Sequence, residues 1–513
     1  MGVSFGVANA PYPAEGGFNT EGGPHNNWAG WEQEGRVEPS GAGAGFYDGF
    51  QAHVDRAATL GLAAFHFGVS WARLQPAHQV GRGPEPEWDE AALDHYARIA
   101  RSVLEAGMEP SVALHHFTHP AWLGPDIWLD PTSSLRFAQY AGRAVRELNR
   151  RVVSATGRPV RTWITLHAPN RLALTTYATG EMPGAVGRPV RRTQRALDHM
   201  LAAHVRAYDA IHDAHEESGW GTPRVAFTTF ACSLYDLDRA LFDLVRARVA
   251  AVERKRLRRH FARRRGAFHA RFAELARRRW GRGHPQVLFH RLSRSATRRL
   301  FDPRRLLRTI DAVYESPRRR KLDVVGLDVH DPFVVGALHF RFPTPERIAA
   351  GEPVVHPPRW EWRHDPHELG EVLRAHAEDS GAIPLVVFHG GPAHRQRTGG
   401  RPEPRPDGLT RDLHLRRTFR ELRRIRSEEL PLSAFLYRTL VDDYDWGTHQ
   451  VRTGLYAREP ETGALLSTDG LGVDGGRTYA ALVAAFPGRP AGRAEGDGPR
   501  SASPATSGSR PGS

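Results

Sequence analysis

The chain has 513 residues, 40% hydrophobic and 25% charged, an ordinary globular mixture long enough for one large barrel or two to three smaller domains. Cys232 is the only cysteine, which excludes an internal disulfide and a cysteine-rich zinc site, and no apolar run is long enough to span a bilayer. The net charge of +14 suggests a nucleic-acid binder until its distribution along the chain is considered.

Residues 1–17 lack a basic stretch followed by an apolar one, so no secretory signal is expected. Gly6 stands where a myristoylation pattern wants Ser or Thr, and a cytoplasmic protein is the simplest reading. Residues 4–8 read as a first strand, followed by a Gly-rich loop over 13–45 and helical spacing over 46–60. A second strand, 63–70, leads into Trp71, Arg73 and Pro76. After a helix over 90–106, a third strand at 109–114 ends in His115, His116, Phe117, Thr118, His119 and Pro120. A helix over 135–154 precedes the fourth strand, 162–166, which must stop at His167-Ala168-Pro169-Asn170, because Pro169 cannot donate to a sheet ladder. A buried strand ending in polar residues and a breaker is where an α/β barrel places its chemistry. A helix over 193–216, with Thr193 as N-cap, and a fifth strand at 224–230 follow.

Residues 236–321 hold about 27 basic and about 8 acidic residues, so the rest of the chain is slightly acidic. Of 71 basic residues only Lys255 and Lys321 are lysines, an arginine bias typical of GC-rich coding sequence. The segment reads as two or three amphipathic helices with arginines in solvent, with docking on an anionic partner as the alternative and nucleic acid disfavoured. A sixth strand at 322–330, a helix over 367–380, a seventh strand at 383–388, a helix over 409–428 and an eighth strand at 432–441 come next. The stretch Asp442 to Trp446 follows that strand, then a helix over 478–486. Residues 487–513 have few apolar side chains and read as a disordered tail. Eight strands alternating with helices predict a single (β/α)8 TIM barrel over residues 1–486, with the basic segment 236–321 as a helical insertion.

Five stretches together resemble the family-1 β-glycosidases. FHFGVSWARLQP (65–76) is similar to that family's S-W-x-R-x-x-P, and LHHFTHP (114–120) to its third-strand motif. WITLHAPN (163–170) resembles W-x-T-x-N-E-P. TLVDDYDW (439–446), followed by RTGLY (452–456), resembles L-L-D-N-F-E-W and R-F-G-L. GVANAPYPAEGG (6–17) is a looser likeness to A-x-x-Y-Q-x-E-G. The resemblance implies retaining glycoside hydrolysis, in which two carboxyl groups about 5 Å apart act as nucleophile and acid/base. It also places Ala168 at the acid/base. It places Phe388 at the nucleophile, or His389 with a one-residue slip, although strand alternation turns His389 away if Phe388 points inward. Neither choice supplies a carboxylate. Among the sugar-holding positions, the family's glutamine falls on Pro13, its asparagine on His167, its tyrosine on His330, its stacking tryptophan on Arg438 and its glutamate on Asp445. His116 and Trp446 are retained.

The substrate-binding candidates are therefore His116, Phe117, His167, His330, Arg438, Asp445 and Trp446, for a glycoside or glycosylated small molecule, with no cofactor and no metal. Imidazoles could ligate zinc or move protons, but 27 histidines put several near any site by chance. Glu15 and Asp328 are further carboxylates near the mouth, Glu15 more plausibly structural. Trp71 could be barrel wall or ligand platform, and Trp28 and Trp31 could cover the pocket or pin the first loop. Three functions follow: a glycoside- or partner-binding pseudoenzyme, an enzyme repurposed on histidines and Asp445, or a conventional β-glucosidase with the glutamates aligned elsewhere.

Overall fold

A computed structural model describes residues 2–77, 79, 81–185, 187–335, 358–378, 383–398, 400–459 and 462–487. The main strands are β1 Ser4–Ala8, β2 Ala64–Gly68, β3 Glu109–Ala113, β4 Thr162–Ile164, β5 Arg224–Ala226, β6 Thr228–Phe230, β7 Val325–Val329, β8 Leu385–Gly390 and β11 Leu432–Arg438. These nine form one sheet in the order β5-β4-β3-β2-β1-β11-β8-β7-β6, and every pair in it is parallel. β5 and β6 are one barrel position broken at Phe227. On one side Thr165 N–H donates to the Ala226 carbonyl at 2.8 Å and β4 pairs β5, while on the other β6 pairs β7. The expected fifth strand thus exists with a kink, and eight positions close the (β/α)8 barrel. The short strands β9 His394–Gln396, β10 Pro402–Glu403 and β12 Val451–Arg452 form a separate antiparallel sheet, which no alternating pattern had marked.

The helices wrap the outside because their apolar residues recur every three or four positions. α1 (Phe46–Thr59) and α2 (Glu90–Glu105) lie close to their expected ranges. In α3 (Ser133–Thr156) the buried stripe is Phe137, Tyr140, Ala141, Ala144, Val145, Leu148 and Val152, and Gly157 ends the helix in a left-handed conformation, φ 68°, a conformation glycine adopts without a Cβ clash. The short helix α4 (Pro169–Ala173) starts directly after Ala168. α5 (Pro189–Glu217) starts earlier than Thr193 suggested: Pro189 occupies its first turn, where the missing N–H costs nothing, and Thr193 is buried inside the helix. After the basic segment, α10 (Pro366–Ala377), α11 (Arg411–Ser427) and α12 (Gly475–Ala484) again fall close to expectation. Among the described residues no helix is long and apolar enough to cross a membrane. Residues 488–513, nearly all of the expected disordered tail, lie outside the described residues.

The basic segment forms α6 (Arg239–Val245), α7 (Leu257–Trp280), α8 (Pro285–Leu300) and α9 (Leu307–Glu315). Arg258, Arg259, Arg263, Arg277 and Arg278 are exposed, as the solvated-face reading expects. Others are not. Arg265 is clamped on Asp236, and Arg279 makes a two-point contact with Asp331, 2.6 Å at each oxygen, and reaches Glu368 at 3.2 Å. Through Arg279 part of the surplus charge therefore fastens the segment to the barrel by a buried, bidentate contact.

Candidate functional site

The C-terminal ends of the strands carry the candidates inward. β3 delivers His116 and Phe117, β4 delivers His167 and Ala168, β7 delivers Asp328 and His330, β8 delivers Phe388, and β11 delivers Arg438, with Asp445 and Trp446 shortly after. His116 and His167 stack with ring centres 3.9 Å apart and planes 11° from parallel. Trp446 lies 5.5 Å from His116 and 4.7 Å from Phe117, and Phe388 meets the edges of His66 at 4.8 Å and His167 at 5.2 Å. Gly390 has no side chain for a reason: a Cβ there would overlap the His330 imidazole. His389 points the other way, as alternation requires, with Nε2 3.0 Å from Nε2 of His414 on α11.

Three residues here hold left-handed backbone without being glycine: Phe117 (φ 67°), Ala168 (φ 41°) and Trp446 (φ 44°). Each such residue costs on the order of 1–2 kcal/mol. Strain gathered on three separate strand ends around one point marks a site whose surroundings enforce it.

The electrostatics are dominated by burial. His116, His167 and His330 are at most 6% exposed, and desolvation lowers the pKa of all three, His330 to about 4. These imidazoles are neutral at pH 7. Asp328 sits between two of them, 3.0 Å from His330 Nε2 and 3.6 Å from His167 Nε2. Burial pushes its carboxyl up, but the two rings outweigh it and hold it down. Asp445 accepts from Arg359 Nη1 at 2.5 Å; here too burial is outweighed, by Arg359, Arg438 and Arg171, and the carboxyl is held down. Asp443 is different: burial pushes it up to about 7 against the pull of Arg438. Arg171, on α4 just beyond Ala168, faces Phe117 and Phe230 and is pushed down to about 10 by burial and by Arg359.

Other candidates lie elsewhere. Glu15 accepts from Arg73 Nε at 2.8 Å and from Tyr96 Oη at 2.9 Å, a buried structural cluster. Trp71 stacks on Tyr140 at 4.3 Å and is barrel wall. Trp28 packs on Tyr12 and, at 6.0 Å, against Trp446, with Trp31 on its edge, so the first loop braces the mouth. Among the described residues no group of three or more His, Cys, Asp or Glu could hold a metal.

The profile of glycosyl hydrolase family 1 matches residues 2–459. The chain belongs to this family. It is 27% identical over 237 residues to coniferin beta-glucosidase of Pinus contorta, covering 42% of this chain and 44% of that one. It is 29% identical over 243 residues to Beta-glucosidase 6 of Oryza sativa subsp. japonica, covering 44% of each. The match to Lactase/phlorizin hydrolase of Rattus norvegicus, 27% over 241 residues, takes in 44% of this chain and 12% of that one. The chain thus spans less than half the length of each of these curated relatives. The beta-glucosidase from Thermotoga maritima in complex with azafagomine superposes with a TM-score of 0.63 at 18% identity, over 94% of this chain and 98% of that one. An AHE enzyme from Alicyclobacillus herbarius gives 0.64 at 19%, with the same coverage. At these identities the likeness shows the fold.

Within this family-1 barrel, His66, Arg171, Arg359 and Asp443 join the site without having been singled out. His66 was findable, since alternation along β2 puts it on the face opposite Phe65 and Phe67. Arg171 stands one residue after the quoted motif, and Arg359 carries no local signal. Asp443 yields a pH prediction. Its folded pKa is raised, so its favourable contribution is complete below its unfolded value near 4 and is lost as pH rises through about 7. Asp443→Asn should match the parent near pH 4 and exceed it by roughly 2 kcal/mol at pH 8, measured by urea unfolding at both values. An equal difference at both would place Asp443 in contact with water.

Proposed function

We propose that this family-1 chain binds a glycoside at the C-terminal mouth of its barrel without hydrolysing it. The observation that carries the reading is the pair Ala168 and Phe388, which stand where the family resemblance expects the two carboxyl groups. Both are at most 1% exposed, and neither can attack an anomeric carbon or donate a proton. Supporting it are the half-buried ring of Trp446 at the mouth, which suits the apolar face of a sugar, and the strained strand ends around it. Asp445, which falls on a sugar-holding position, is occupied by Arg359.

The test has two arms. With p-nitrophenyl β-glucoside, purified protein should release nitrophenol no faster than buffer, while methyl β-glucoside should bind saturably by calorimetry. Turnover that survives purification and disappears in His167→Ala would sink the reading. A second reading has one observation in its favour: Asp328 beside His167 and His330 could orient an imidazole for proton transfer. It predicts substrate consumption that Asp328→Asn abolishes.

A further inference from the structure

Among the described residues, the barrel mouth holds more cationic donors than find partners. Arg438 is 3% exposed, and among the described residues none of its three guanidinium nitrogens has a hydrogen-bond partner. Arg171 is half-buried, with its Nη1 enclosed and without a partner among the described residues. A guanidinium carries five donors, and leaving a buried charged group unpaired is among the most costly arrangements a protein can hold. The nearby carboxylates do not answer for it. Asp445 is engaged by Arg359, Asp328 lies between His167 and His330, and Asp443 keeps an unpartnered Oδ2 and makes no hydrogen bond to Arg438. The imidazoles of His116 and His167 also have both ring nitrogens without a hydrogen-bond partner among the described residues. They lie on the same side as Trp446, which is half-buried and is the member of the cluster that reaches solvent.

We propose that the ligand of this mouth carries an oxyanion group, carboxylate or phosphate, which is met by Arg438 and Arg171, while its ring lies against Trp446 at the rim. This rests on the glycoside-binding reading above and narrows its ligand to an anionic glycoside or sugar. The chemistry fits. A planar guanidinium pairs with a carboxylate or phosphate in a two-point contact, and a site with three arginines, two ionised carboxylates and one carboxyl titrating near 7 gains a counter-ion by binding a monoanion. Arg438 also stands where the resemblance puts a flat tryptophan, so the change from ring to cation alters what the site can hold in the sense proposed.

Calorimetry on the full chain tests this with four probes: methyl β-glucoside, glucuronate, glucose 6-phosphate and inorganic phosphate. At least one of the two anionic sugars should bind tenfold or more tighter than methyl β-glucoside, and which of them does so separates a carboxylate from a phosphate site. Arg438→Met and, separately, Arg171→Met should each weaken that binding at least tenfold, and either one suffices if the other fails to fold. Arg417→Met serves as a control. It lies in a cleft of about 740 Å3 outside the barrel, lined by Arg363, His364, His367 and Arg420 among others, and should change the affinity less than twofold. If methyl β-glucoside binds as well as both anionic sugars, the oxyanion proposal falls and the glycoside pocket stands. If no sugar binds, both fall. If inorganic phosphate binds as tightly as the anionic sugars, or Arg417→Met abolishes the binding, the anion belongs to the outer cleft or to no ring-binding site, and the proposal falls.

Discussion

Ala168→Glu combined with Phe388→Glu should not make this protein a working glycosidase: its rate on an aryl β-glucoside should stay within about tenfold of the uncatalysed one, against the six or more decades that enzymes ordinarily supply. On the proposed reading the double variant restores two carboxyl groups at the retaining separation. It does not restore what surrounds them. The carboxyl introduced in place of Phe388 would enter a wall made by His66 and His167, with Arg438 close enough to lower the pKa of both rings. At the other position the Ala168→Glu carboxyl must stay protonated to act as the acid, and Arg438, whose charge reaches the adjacent His167, favours its ionisation. Asp445 is held by Arg359 instead of being free for a sugar hydroxyl, Pro13 has no donor to offer, and Gly390 lets the His330 ring occupy the space beside β8. Each missing transition-state contact can cost a few kcal/mol, and several together remove many decades of rate. Far-ultraviolet circular dichroism and a thermal melt establish that the variant is folded before its rate is read. A signal should need Pro13→Gln, His330→Tyr, Arg438→Trp and Asp445→Glu in addition. Brisk hydrolysis by the folded double variant would mean that the pocket has kept its sugar-binding design and lacks only two glutamates.

The second large effect is on stability. Arg279→Ala should lower the free energy of unfolding by about 3–5 kcal/mol, because removing one partner of a buried ion pair strands the others. Arg279 is only 10% exposed in its side chain, and its acidic partners Asp331 and Glu368 are 3% exposed each. It ties α7 to the end of β7 and to α10, and its guanidinium also lies 5.3 Å from the Phe333 ring centre. Burial pushes Glu368 up to about 8, with Arg279 opposing the rise and Asp331 adding to it. A raised acid contributes most below its unfolded pKa near 4.5 and loses that contribution as pH rises through its folded value. Without Arg279 the folded value climbs further, so the deficit of the variant should deepen above about pH 8. Arg258→Ala, Arg259→Ala and Arg263→Ala on the same helix should each stay within about 0.5 kcal/mol of the parent, since those side chains are in solvent. Guanidinium unfolding of the four variants makes the comparison. Equal effects from buried and exposed arginines would mean that the ion pairs do not hold this segment to the barrel.

What the sequence by itself determined is what local patterning encodes. The eight barrel positions were legible because each is a short apolar run bounded by turn residues, and the observed strands fall within a few residues of the expected ones. The candidates His116, Phe117, His167, His330, Arg438, Asp445 and Trp446 were legible through the family-1 resemblance, and as neighbours because a parallel barrel presents the C-terminal ends of all its strands on one face. That His389 turns away followed from alternation alone. The tertiary structure decided which charges meet. Arg359 pairs with Asp445 across 86 residues, Arg279 with Asp331 across 52 and with Glu368 across 89, and no spacing in the sequence announces these encounters. It also decided that the basic segment is partly an anchor, that Arg171 and Asp443 enter the mouth, and that Arg438 arrives there with donors that find no partner among the described residues. The physical reason is that a pairing pattern follows from the few residues that share an element, whereas the energy of a charge depends on burial and on partners brought from anywhere in the chain.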